Sequence, residues 1–271
     1  MQDVLNRSYK GLLNAIDSFA NSATSIQYSL PTNKKNVEKP NYVYAEDNYM
    51  EAVLNNPVTS RTLRTIANRL YGKQIEEIIL NSSQLSKDNY PQLWESYNYC
   101  CSVLGLERIP ALYITSRLKG INALSIDINK EQIILLSLPA VVMLGKMELR
   151  FLLGHELGHI QQGHLIAHTV QGLLEDLNKH VELLAPVITD ILDVPLNRWY
   201  RISEFTADRA GFLCCHDMDV IVGLFHRLGL EASESSFSRL AELSHAHPLN
   251  STRIEKLQEY KMQSLAEYDK E

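Results

Sequence analysis

The chain has 271 residues, 45% of them hydrophobic and 21% charged, the balance of a globular protein with one large domain or a domain plus an extension. A formal charge of −6, with no basic run longer than Lys34-Lys35, argues against a nucleic-acid partner. The longest uncharged apolar run, Gln132 to Gly145, contains a proline and is too short to span a bilayer, so no transmembrane segment is expected.

The opening MQDVLNRSYKGLLNAIDSF breaks its apolar residues with polar ones and does not read as a signal peptide. Leu5, Tyr9, Leu12, Leu13, Ile16 and Phe19 recur at helical spacing and predict an amphipathic helix. Residues 21–48 are polar, include Pro31 and Pro40, and read as a loop or tether. Segments 59–80 and 91–105 return to helical spacing, the second opened by Pro91 and closed near Gly105. PALYIT (110–115) and INALSIDI (121–128) read as strands. The second alternates, with Leu124, Ile126 and Ile128 on one face and Ala123, Ser125 and Asp127 on the other. EQIILLS (131–137) is apolar on both faces and predicts a buried strand. From Leu138 onward helical spacing dominates. The expected fold is α+β and mostly helical, with one small sheet ahead of a histidine-bearing helix. Cys100-Cys101 and Cys214-Cys215 are adjacent pairs with no CxxC, which predicts free thiols in a reducing, cytoplasmic setting.

Leu152 to His164 reads LLGHELGHIQQGH. On a helix, residues four apart differ by about 40° around the axis, so His155 and His159 point the same way and can share one ion. Glu156 lies about 100° from His155, beside such an ion and not on it, where a base must stand to deprotonate an attacking water. A third histidine ten residues after the first would fall on Leu165, so that pattern fails. His164 is one position early and, if the helix continues, points about 180° away from His155. His164 and His168 are therefore expected to be a polar or structural pair. The remaining option is a carboxylate on a later helix. Glu204 in RISEFTADRAGF fits, with Asp208 one turn on to accept the spare ring N–H of a liganding histidine. The competing reading is a solvated face in which Glu204 pairs with Arg201 or Arg209. Two acids among Phe205, Ala207, Ala210, Gly211 and Phe212 nonetheless call for a cation.

HELGHIQQGH, the ExxxD of EFTADRAG and HPLNSTR, in that order, resemble the HExxH/ExxxD zinc metalloendopeptidases that include CAAX prenyl protease, HtpX and the mitochondrial Oma-type proteases. The likeness runs from about Pro91 to Leu257. It implies a gluzincin-like enzyme with a zincin-like metallopeptidase domain over residues 59–271 and a helical extension and tether over 1–58. It implies one zinc per chain on His155, His159 and Glu204, with Glu156 as general base and Asp208 behind the ligands. His247 and Arg253 fall on the family's HP(x4)R pattern, where they would face the scissile carbonyl as donors to an oxyanion. Asn122 and Ala123 match its NA at an edge strand that pairs with substrate backbone.

Membrane members of that family carry spans between HExxH and the glutamate. Here the interval holds Glu175, Asp176, Lys179, Glu182, Asp190 and Asp193, too many charges for a span. A soluble peptidase acting on protein or peptide substrates is the expectation, with room for a regulatory partner. Residues 1–58 would either restrain it or brace it. Restraint would come from lying across the edge strand or from capping the ion through Glu46, Asp47 or Glu51. A binding protein that keeps zinc only as a structural element is the reading from another class, and the intact Glu156 speaks against it.

Overall fold

The computed structural model describes residues 42–44, 47, 57–128, 131–165, 194–234 and 250–268. The helix expected over residues 5–19, most of the tether, His168, the charged stretch 175–193 and His247 lie outside the described residues.

The described elements run α1 (Pro57–Leu80), β1 (Ser83–Gln84), α2 (Pro91–Val103), β2 (Ala111–Thr115), β3 (Ala123–Ile128) and β4 (Glu131–Ser137). They continue with α3 (Leu138–Met143), α4 (Lys146–Gln161), α5 (Val194–Cys215), α6 (Met218–Glu234) and α7 (Asn250–Tyr268). The fold is α+β and mostly helical, as its periodicities imply. Only β1 has no counterpart in the sequence reading, because two residues are too short to display a period.

The sheet order is β1-β2-β4-β3, with β2 parallel to β4 and the other pairs antiparallel. Its centre is β4, and the pleat explains why that strand is apolar on both faces. Ile133 and Leu135 pack toward Ile75 and Ile78 of α1, whereas Ile134 and Leu136 join the main core with α2, α4, α5 and α6. The strand β3 pairs with β4 alone and forms the edge. Its alternation puts Ala123 on the α4 side and Ile126 on the α1 side. Ser137 ends the sheet and caps α3, accepting from the Ala140 N–H at 3.1 Å.

The tightest packing among the described residues is between α4 and α5. A Cβ on Gly158 would come within 2.8 Å of the Ala210 Cβ, and one on Gly154 within 2.7 Å of the Cys214 Sγ. From the other side, a Cβ on Gly211 would lie 2.7 Å from the Phe151 carbonyl oxygen. Small residues at helical spacing on both partners therefore set how closely the two backbones approach.

The segment around Tyr42 is not a free tether. Tyr42 is fully buried in the main core, and its hydroxyl meets Gln161 and accepts from the Gln162 amide at 3.2 Å. The Arg209 guanidinium lies 3.5 Å over the Tyr44 ring. Two tyrosines supply the apolar area that polar composition alone conceals. Among the described residues, no helix is long and apolar enough to cross a membrane.

The close helix crossing yields a paired prediction. Gly158→Ala is expected to destabilise the protein by about 1–3 kcal/mol through overpacking. Gly223→Ala on α6, where an added Cβ meets nothing within 4 Å, is expected to be neutral or to stabilise by up to about 1 kcal/mol. Urea denaturation of both variants measures the contrast, and equal effects would deny that the α4–α5 approach is sterically limited.

Candidate metal centre

The HExxH segment forms the C-terminal half of α4, where His155, Glu156 and His159 are all buried. The close approach of α5 carries Glu204 and Asp208 to the same point. One ligand atom from each of His155, His159 and Glu204 lies within 4.8 Å of the others. The two Nε2 atoms are 3.1 Å apart. The Glu204 carboxylate stands 3.2 Å from the Nε2 of His159 and 3.6 Å from that of His155.

The donor chemistry fits a cation. The Nδ1 of His155 is 3.0 Å from the Asp208 Oδ1, so an N–H donated to that carboxylate leaves Nε2 as a bare lone pair. That lone pair faces a carboxylate oxygen and a second imidazole nitrogen. Three acceptors pointed at one another in a buried space are mutually repulsive until a positive ion sits between them. Two imidazoles and one carboxylate are a donor set suited to zinc and its first-row neighbours.

Arg253 supplies fixed charge behind this triangle. It donates from Nε to the Asp208 Oδ2 at 2.8 Å and from Nη2 to Oδ1 at 2.5 Å, with Glu204 3.8 Å from Nη2. The Phe225 ring lies 4.5 Å beneath the guanidinium. Arg253 was expected to face a scissile carbonyl; its guanidinium instead points at Asp208, because two buried carboxylates on one helix face demand a permanent cation. The reading of Glu204 as a surface partner of Arg201 or Arg209 fails for the same reason, since Glu204 is fully buried.

These neighbours tune the titrations. Burial alone would raise the Asp208 carboxyl, but Arg253 outweighs it and holds it below the ordinary range. Burial pushes His155 down, and the hydrogen bond it donates to Asp208, with the charge of Glu204, carries it above its ordinary value. His159 goes the other way: burial dominates the opposing pull of Glu204 and lowers it to about 3.

Glu156 projects toward the sheet. Its Oε2 accepts from the Ser125 backbone N–H at 2.8 Å, which joins the carboxylate to the edge strand β3. Asn122 turns inward: its N–H donates to the Ser137 Oγ at 3.0 Å and its carbonyl accepts from the Ser137 N–H at 2.9 Å. By alternation the backbone groups of Ala123 and Ser125 point away from β4.

Two residues depart from expectation. His164 does not point away from the site, because α4 ends at Gln161. The chain reverses at Gly163, with φ 71°. The Gly163 N–H then bonds the Ile160 carbonyl at 3.2 Å and the His164 N–H bonds that of His159 at 3.0 Å, a Schellman closure. This folds His164 back until its Nδ1 lies 2.9 Å from the Nδ1 of His159. Asp47, one of three acids considered as a cap for the ion, sits instead behind His159, with Oδ2 2.9 Å from the His164 Nε2.

The charge arrangement predicts a specific sensitivity. Arg253→Met leaves Asp208 and Glu204 buried without their guanidinium and is expected to cost the metal-free protein about 3–5 kcal/mol. Urea denaturation in the presence of a chelator checks it, and a loss below about 1 kcal/mol would mean that Arg253 does not balance these charges.

No solved structure matches the chain. It is 28% identical over 172 residues to the plastoglobule-localized metallopeptidase 48 of Arabidopsis thaliana chloroplasts, a match covering 61% of this chain and 49% of that relative. The chain thus spans about half the length of that curated relative. The sequence pattern of Peptidase family M48 matches residues 102–261, from α2 through most of α7 and including every helix that contributes to the triangle. The chain belongs to Peptidase family M48.

Proposed function

We propose that the chain is a zinc-dependent metalloendopeptidase that hydrolyses peptide bonds in extended protein or peptide substrates. The observation that carries this reading is the buried triangle of His155, His159 and Glu204 beside a carboxylate, Glu156, that a purely structural metal site has no use for. Those three residues would hold the ion, with Asp208 orienting His155. When bound, zinc supplies Lewis acidity toward a carbonyl oxygen and makes water acidic near neutral pH. Glu156 takes the proton from the attacking water and returns it to the leaving amine. Arg253 keeps Asp208 ionised and aimed. His247, on the HP(x4)R pattern, is assigned the remaining donor role toward the developing oxyanion.

The substrate is proposed to lie along β3 as an added strand. Ala123 offers the outward N–H and carbonyl for main-chain pairing, while Asn122 anchors the start of the strand to Ser137. Pairing of this kind reads backbone more than side chain and gives broad specificity. Four free, buried thiols, with burial pushing Cys101 up to about 12, favour a reducing compartment such as the cytoplasm.

Purified protein is expected to hold about one zinc per chain, and His159→Ala or Glu204→Ala to lose most of it. Glu156→Gln should keep the zinc while cleavage of a denatured protein mixture falls by about 10²- to 10⁴-fold. Full zinc in Glu204→Ala would remove that residue from the ligand set. Undiminished cleavage by Glu156→Gln would assign the chemistry to another base. For the groove, Ala123→Pro removes one outward N–H and should raise KM for a peptide of several residues with zinc content unchanged; an unaltered KM would take β3 out of substrate binding.

A further inference from the structure

Outside the ligand triangle, one group of buried ionisable side chains continues directly from it. His159, His164 and Asp47 form a line: Nδ1 to Nδ1 at 2.9 Å, then Nε2 to Oδ2 at 2.9 Å. All three are at most 2% exposed, so bulk water cannot stand in for any member.

We propose that Asp47 and His164 are positioning residues for His159, setting through two imidazoles the tautomer and ring orientation that this ligand needs to bind the metal. The inference rests on the zinc reading above. Two facing ring nitrogens can bond only if one donates and the other accepts. His159 must present a bare Nε2 to an ion, so its proton sits on Nδ1 and points at His164. His164 then has to accept through a bare Nδ1, which places its own proton on Nε2. A carboxylate is an acceptor only, and Asp47 stands where that proton points. The opposite assignment, with His164 donating from Nδ1, would move the His159 proton to Nε2 and close the coordination position. One arrangement of protons satisfies all three contacts.

The two liganding histidines are therefore served by different devices. His155 is oriented by a carboxylate directly, through Asp208 on α5. For His159 the carboxylate acts through an intervening imidazole, and it belongs to a segment that precedes α1. That segment is anchored independently by Tyr42 at the end of α4 and by Tyr44 against Arg209. The Schellman turn at Gly163 is what brings the middle imidazole into line. The chain ahead of the catalytic helices thus contributes to metal retention from behind the ligands.

The test uses the full chain with Asp47→Ala, His164→Phe (which keeps a ring in place without its nitrogens) and the double variant. Zinc affinity is read by chelator competition, and the visible spectrum of the cobalt(II)-loaded protein reports ligand geometry. Each single variant should bind zinc about 10- to 100-fold more weakly, the range for outer partners of a ligand, and shift the cobalt bands. The double variant should bind no more weakly than His164→Phe, because Asp47 acts only through His164. Folded single variants with wild-type zinc affinity and unshifted bands would overturn the proposal and leave the segment a brace. A wild-type chain that takes up no zinc would instead overturn the metallopeptidase reading beneath it. If the variants do not fold, nitrogen-15 histidine spectra of the zinc-loaded wild type decide: protons on the His159 Nδ1 and His164 Nε2 support the relay, and a proton on the His164 Nδ1 ends it.

Discussion

The contact on which the site depends is the crossing of α4 and α5 at a separation that small residues permit. Gly154 and Gly158 on one helix meet Ala207, Ala210 and Cys214 on the other. At this distance a carboxylate on α5, with its short side chain, reaches the imidazoles of α4. A wider crossing would leave Glu204 and His155 separated by a layer of side chains, and the same residues would be an ordinary buried helix pair. Packing here is the means by which ligand geometry is set.

Once the helices are that close, electrostatics dictates the rest. Glu204 and Asp208 are fully buried, and burying two negative charges is prohibitive unless each is answered. Asp208 is answered by Arg253 from α7 and by the His155 ring. Glu204 shares that guanidinium at longer range and faces two imidazole nitrogens. A divalent ion would complete the balance. This charge comes from α5 and α7, and their role is legible as charge compensation without reference to any relative.

Much of the architecture was readable in the sequence because its signals are local. Strand β4 is apolar on both faces, and it lies between α1 and the main core. HExxH and the downstream Glu204 needed only helical geometry and the rule that buried acids require a partner. Helix α2 was ended at Gly105, where φ is 65° and the Leu106 N–H closes on the Cys101 carbonyl. The same glycine rule applied at Gly163 would have turned His164 back onto His159; extending α4 as a regular helix sent it the wrong way. Asp47 carried no such clue. Its partner lies 117 residues downstream, and only the packing of Tyr42 and Tyr44 brings the two together. The motif suggested a scissile carbonyl for Arg253 to face; its contact with Asp208 follows from counting buried charges.

The distribution of the centre along the chain has a consequence for its assembly. Its members come from the segment before α1, from α4 and the turn after it, from α5 and from α7, so every contact among them closes a long loop of chain. Such contacts form late, after the local helices, because loop-closure entropy is met before they return any energy. A growing chain carries its histidines well before Glu204, Asp208 and Arg253 exist to complete them. The metal site is therefore a property of the finished fold alone, and no nascent fragment ending before α7 holds a complete set of charges.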